Sequence, residues 1–143
     1  MAKANTYLNF PGTTEEAFNF YKSVFGGEFT FLQRFSDTPE GNNLPEADRA
    51  KIMHISLPIG EGTMIMATDS LESMGQKLTV GNNVYVCLSA DNEAEADKLF
   101  YGLSQGGKIE MPMEKTFWGS YFGSFADKFG ICWMIDCPLE TQA

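Results

Sequence analysis

Apolar and polar positions change period several times along the chain, and each change marks an element. Thr6–Phe10 is short, mostly apolar and followed by Pro11-Gly12, which predicts a strand ending in a turn. Thr13 or Thr14 then caps a helix whose first turn carries Glu15 and Glu16, where the helix dipole favours acidic groups. Ala17, Phe18, Phe20, Tyr21, Val24 and Phe25 recur at three- and four-residue spacing and make one wide apolar face, which Gly26-Gly27 ends. Glu28 to Phe35 alternates as a strand. Ser36 to Ala50, rich in Asp, Glu, Asn, Pro and Gly, reads as a mobile surface loop. Lys51 to Ile59 and Thr63 to Thr68 read as two strands joined by Gly60-Glu61-Gly62, a hairpin signal.

After a linker over Asp69 to Gly81, the order repeats. Asn83 to Ser89 is a strand, and Asp91 or Asn92 caps a helix with Ala94, Ala96, Leu99, Phe100 and Leu103 as its apolar face. Gly106-Gly107 stops it. Lys108 to Met113 and Ser120 to Ala126 are strands, and Asp127-Lys128-Phe129-Gly130 turns into a last strand, Ile131 to Ile135. A shift of 79 places Ala17 on Ala96, Tyr21 on Phe100 and Val24 on Leu103; a shift of 68 places Gly62 on Gly130 and Met66 on Met134. Recurrence of the whole element order, with glycines at both helix ends, is the signature of an internal repeat. The expected fold is α+β: two tandem βαβββ modules in a single domain over 1–143, module one at about 5–69, a linker at about 70–81 and module two at about 82–137. Pairing two such modules edge to edge would curve one mixed sheet into a cup, with helices on its outer face and the concave face left for a ligand.

Several stretches resemble the PhnB-like branch of the vicinal-oxygen-chelate (glyoxalase/bleomycin-resistance/dioxygenase) superfamily. They are Tyr7-Leu8-Asn9-Phe10, Ala17-x-x-Phe20-Tyr21-x-x-Val24-Phe25-Gly26-Gly27, Met53-His54, Thr116-Phe117-Trp118-Gly119 and Asp127-x-Phe129-Gly130-x-x-Trp133. The resemblance implies the cup-shaped pair of modules, a homodimer, and a superfamily that includes glyoxalases, extradiol dioxygenases, epimerases and drug-binding resistance proteins. Fold does not fix function in such a superfamily. A methyltransferase label is also attached to PhnB-like members, but no glycine-rich dinucleotide-type turn supports it in this sequence.

Composition narrows the partners. A formal net charge of −9 disfavours phosphate-backbone binding, so nucleic acid and anionic membranes are set aside. No apolar run approaches the roughly 20 residues that span a bilayer. Three cysteines with no paired spacing, Cys87, Cys132 and Cys137, fit a reducing cytoplasm, and they form no zinc knuckle.

The resemblance also implies a divalent ion held by His and Glu from the first and last strands of the modules. Those strands offer Tyr7, Asn9, Met64, Met66 and Thr68, then Tyr85, Cys87, Ser89, Cys132, Met134 and Asp136. The usual triad is absent, so no cofactor and no metal ligand are expected. The single histidine, His54, has three readings: a half-buried strand residue with one hydrogen bond, a ligand contact and proton shuttle, or, least favoured because one imidazole needs partners, a metal ligand. His54 and Glu110 are the candidate catalytic groups. Candidate ligand contacts are His54, Met66, Trp118 and Tyr121, among methionines and aromatics whose default is core packing. Asp127 is read as holding its own turn. The expectation is a small-molecule-binding protein with an apolar, aromatic cup. Its rivals are a divalent-metal-dependent lyase, isomerase or dioxygenase, and a purely structural or interaction role.

Overall fold

The computed structural model describes residues 2–139. The chain divides into two compact units, with the boundary between Thr79 and Val80. Each unit is a four-stranded mixed sheet with one long helix, so the α+β, two-module reading holds.

In unit one, β1 (Thr6–Phe10) leads into α1 (Thr14–Phe25), followed by β2 (Phe31–Arg34), a single-turn helix α2 (Glu46–Arg49), β3 (Ile52–Gly60) and β4 (Thr63–Asp69). The strand order is β1-β4-β3-β2, with β1 parallel to β4 and the other pairings antiparallel. The register sets Leu8 beside Ala67, Ala67 beside Ile55, and Ile65 beside Leu57. Side chains alternate across a strand, so these five share one face, and all are buried. Helix α1 packs there through Ala17, Phe18 and Tyr21, with the Phe10 and Phe18 rings edge to face at 6.4 Å. Each such ring taken from water stabilises the unit by roughly 1.5–3 kcal/mol.

Unit two repeats the plan with β5 (Val86–Ser89), α3 (Glu93–Leu103), β6 (Lys108–Lys115), β7 (Ser120–Ala126) and β8 (Cys132–Pro138), in the order β5-β8-β7-β6. The pairing Ile55–Ala67 becomes Gly123–Ile135, which is the shift of 68 read from the sequence. Trp133, Ile135 and Phe125 face α3, whose Phe100 meets Phe125 edge to face at 5.2 Å. Asn92 caps α3 by accepting from the Glu95 amide at 2.8 Å. After the helix, Gly107 lies so close to the Ala126 carbonyl that a Cβ would collide with it, so only glycine fits there.

Several segments differ from expectation. The stretch read as a mobile loop, Ser36 to Ala50, holds helical turns at Phe35–Asp37 and Pro39–Asn43 and then α2, with Phe35 and Gly41 buried. Asp48 accepts from Lys51 Nζ at 2.8 Å and Ser73 Oγ at 2.6 Å, and these partners hold its carboxyl below the usual range. Turn-forming residues build tight hydrogen-bonded turns as readily as loops, so composition alone does not separate the two. Strands β2 and β5 are shorter than read, while β6 and β8 run further. Asp69, assigned to the linker, ends β4 and is buried. Glu15, in the first turn of α1, also forms a two-point ion pair with Arg34 that joins α1 to β2 and holds its carboxyl down.

Candidate functional site

The face of the unit-one sheet turned away from α1 carries His54. His54 pairs with Gln33, Ser56 lies between Phe31 and Met66, and Met66 lies beside Tyr7. Alternation therefore puts Tyr7, Phe31, His54, Ser56 and Met66 on one surface. The imidazole sits between two rings, Tyr7 at 5.6 Å and Phe31 at 5.3 Å between centroids. The Tyr7 hydroxyl is 3.2 Å from His54 Nδ1. Tyr7 and Phe31 keep 46% and 47% of their surface exposed, an unusual state for aromatics on a strand and one that leaves area for a ligand. Burial raises the Tyr7 phenol above its ordinary pKa, and the Thr68 hydroxyl offsets part of that rise. Tyr7 thus stays protonated. His54 and Met66 share this surface, and the flanking Tyr7 and Phe31 complete it. Their grouping depends on strand register, which no local pattern in the sequence carries.

In unit two the corresponding face holds Phe122, Ser124, Met134 and Asp136, with Cys87 opposite Met134. Glu110 on β6 accepts from the Tyr85 hydroxyl with both carboxylate oxygens, at 2.8 and 3.0 Å, and this bond is the main cause of the raised Tyr85 phenol. Trp118, 56% exposed, stands edge to face with Phe117 at 5.1 Å and meets Phe122 at 6.0 Å, while Phe117 is 98% exposed.

Tyr121 lies elsewhere. It pairs with Cys137 on the α3 side of the sheet, and its hydroxyl donates to Asp97 of α3 at 2.6 Å. Asp97 is therefore the tether that turns Tyr121 toward the helix. Accepting this hydrogen bond, Asp97 pushes the Tyr121 phenol up to about 12. A raised phenol pKa means the protonated form is favoured in the folded state. Its contribution is whole below pH about 10 and is lost as pH rises through about 12. Tyr121→Phe should lower stability across the neutral region and flatten the alkaline limb of the stability–pH curve between those values, as followed by urea midpoints.

The three cysteines are free and none is an activated nucleophile, because burial raises each thiol, with nearby carboxylates adding to it. Nor does the donor set fit the divalent ion that the superfamily resemblance implies. On the relevant faces β1 and β4 present Tyr7, Asn9, Met64, Met66 and Thr68. Among the described residues no three His, Cys, Asp or Glu side chains are grouped to hold a metal. Asp127 does what its turn position suggested and more. Its Oδ1 accepts from the Phe129 and Ile131 amides at 2.8 and 3.1 Å, and its Oδ2 from the buried Trp133 indole at 2.8 Å. The most specific stretch of the last third of the chain is thus a folding device.

Comparison with known proteins follows the same lines. The profile of the family described as 3-demethylubiquinone-9 3-methyltransferase matches residues 2–136. Protein YjdN of Escherichia coli (strain K12) is 31% identical over 138 residues, covering 91% of each chain. Protein PA1353 from Pseudomonas aeruginosa superposes with a TM-score of 0.85 at 34% identity, over 98% of this chain and 100% of that one. The PhnB protein from Bacillus cereus superposes with a TM-score of 0.75 at 28% identity, over 95% and 99%. More distant solved structures, at 10% to 18% identity, are glyoxalase/bleomycin resistance/dioxygenase proteins or glyoxalase-related, and they show a shared fold alone.

Proposed function

Because the chain belongs to the 3-demethylubiquinone-9 3-methyltransferase family, in the PhnB-like branch of the glyoxalase/bleomycin resistance/dioxygenase superfamily, we propose that it binds a small, largely apolar molecule on the unit-one sheet face around His54. The observation that carries this reading is the half-exposed pair Tyr7 and Phe31 flanking the imidazole, with Met66 in the same register. Aromatic faces and a thioether supply adaptable contact area, while one imidazole and one phenol supply orientation. Trp118 and Phe117 are a second exposed aromatic group that supports ligand or subunit contact in unit two. A homodimer belongs to the same proposal, supported by the exposed Ile109 and Met111 on the edge strand β6. A reducing compartment is supported by the free cysteines. No helix among the described residues is long and apolar enough to cross a membrane.

The test is a fragment screen by thermal shift, with neutral aromatic compounds and S-adenosylmethionine in the panel, repeated on Phe31→Ala and Met66→Ala. Binding to the native state raises apparent stability by about 2.7 kcal/mol at a hundredfold excess over Kd. At least one aromatic fragment should stabilise the wild type and lose most of that effect in both variants. Stabilisation by the methyl donor instead, untouched by these substitutions, would replace this reading with an enzymatic one. Native mass spectrometry of protein purified without chelators should give the mass of the polypeptide without a retained divalent ion; one ion per chain would bring back the metalloenzyme.

A further inference from the structure

We infer that Tyr7 fixes the tautomer of His54, so that Nε2–H is presented as a hydrogen-bond donor, and that the ligand is a planar apolar molecule bearing a carbonyl oxygen. The inference rests on the binding reading above only for its ligand class; the tautomer is a property of the free protein.

The geometry begins at Nδ1, 3.2 Å from the Tyr7 hydroxyl. A hydroxyl and an imidazole nitrogen can share a proton in either direction, and the choice sets which nitrogen is left as the donor. An unprotonated imidazole nitrogen is a better acceptor than a phenol oxygen, so O–H to Nδ1 is the favoured direction. The Tyr7 phenol is also held in its protonated form by burial. With Nδ1 accepting, the neutral ring carries its proton on Nε2. Among the described residues, the contacts of His54 are the Tyr7 hydroxyl and the two flanking rings, and none engages Nε2. Among the described residues no side-chain nitrogen or oxygen shut off from solvent lacks a partner, so Nε2, which has none, keeps contact with solvent.

A donor of this kind, set between two aromatic rings, selects what it meets. The rings at 5.6 and 5.3 Å favour a flat apolar body, and the N–H requires an acceptor on it. A chain with a formal charge of −9 offers no advantage to an anion. A neutral carbonyl meets both demands. Tyr7 is then a positioning residue, acting on the ligand through His54.

His54 is the only histidine, so histidine labelled with ¹⁵N gives a single imidazole in the intact chain. At a pH alkaline enough to leave imidazole neutral, long-range ¹H–¹⁵N spectra should show the Nε2–H tautomer in the wild type and a mixture in Tyr7→Phe. That variant keeps the ring of a half-exposed residue, and its amide spectrum reports whether the fold is intact. An Nδ1–H form in the wild type, or an unchanged tautomer in a folded Tyr7→Phe, overturns the positioning role. For the ligand class, the probes are 2-acetylnaphthalene and 2-ethylnaphthalene, which differ in the carbonyl. The ketone should bind roughly tenfold more tightly, the scale of one hydrogen bond, and Tyr7→Phe should erode that advantage without weakening the hydrocarbon. Equal binding of the two overturns the carbonyl assignment while sparing the binding reading. Binding of neither overturns the ligand class and argues against the site itself, and the tautomer result stands apart from both.

Discussion

Replacing Asp127 by Ala should cost about 3–5 kcal/mol of stability, roughly the sum expected when three donors around a buried carboxylate lose their acceptor. The substitution strands the Phe129 and Ile131 amides and the indole N–H of Trp133, and Trp133 is completely buried. The indole is buried, so the lost hydrogen bond is poorly replaced by solvent. A small domain has only about 5–15 kcal/mol to lose, so the urea midpoint should fall by a large fraction of its value. Asp127→Asn should lie between, since a single amide oxygen can serve the turn or the indole but not both. A ligand-binding role for Asp127 makes the opposite prediction: unchanged stability with lost binding.

A loss of about 2–4 kcal/mol is expected for Asp69→Ala, by the same physics at a different joint. The Asp69 carboxylate accepts from the Thr14 amide at 3.0 Å and the Thr14 hydroxyl at 2.6 Å through Oδ1, and from the Ile52 amide at 2.8 Å through Oδ2. It therefore satisfies an unpaired amide at the start of α1, places negative charge at the positive end of that helix, and ties it to β3 and β4. Thr14→Val, which removes only the hydroxyl, should cost about 1 kcal/mol in the same denaturation experiment. Equal effects of the two substitutions would mean the carboxylate has no role beyond Thr14 Oγ1. By the structural alignment of the halves, the positions matching Thr14 and Asp69 are Glu93 and Cys137, so the device is confined to unit one. There Asn92 caps α3 instead.

That asymmetry shows where sequence reading succeeds. The apolar spacing of Ala17, Phe18 and Tyr21 and of Ala96, Phe100 and Leu103 marks the buried faces of both helices, because a 3.6-residue period is a local property. The Asp127 turn was legible for the same reason, its donors lying within a few residues. The Asp69 knot was not: it joins positions 55 and 17 residues apart, and nothing near Asp69 marks it as buried. Tyr121 shows the same boundary from the other side. Only the placement of α3 decided that its hydroxyl would donate to Asp97.

By itself the sequence determined the two-module α+β plan, the strand and helix order, and the identity of His54 as the single imidazole. Those follow from short-range periodicity, turn chemistry and simple inventory. The tertiary structure decided which side chains meet His54. A one-residue slip in register moves every side chain to the opposite face, so the grouping of Tyr7, Phe31 and Met66 around it depends on pairings between strands far apart in the chain.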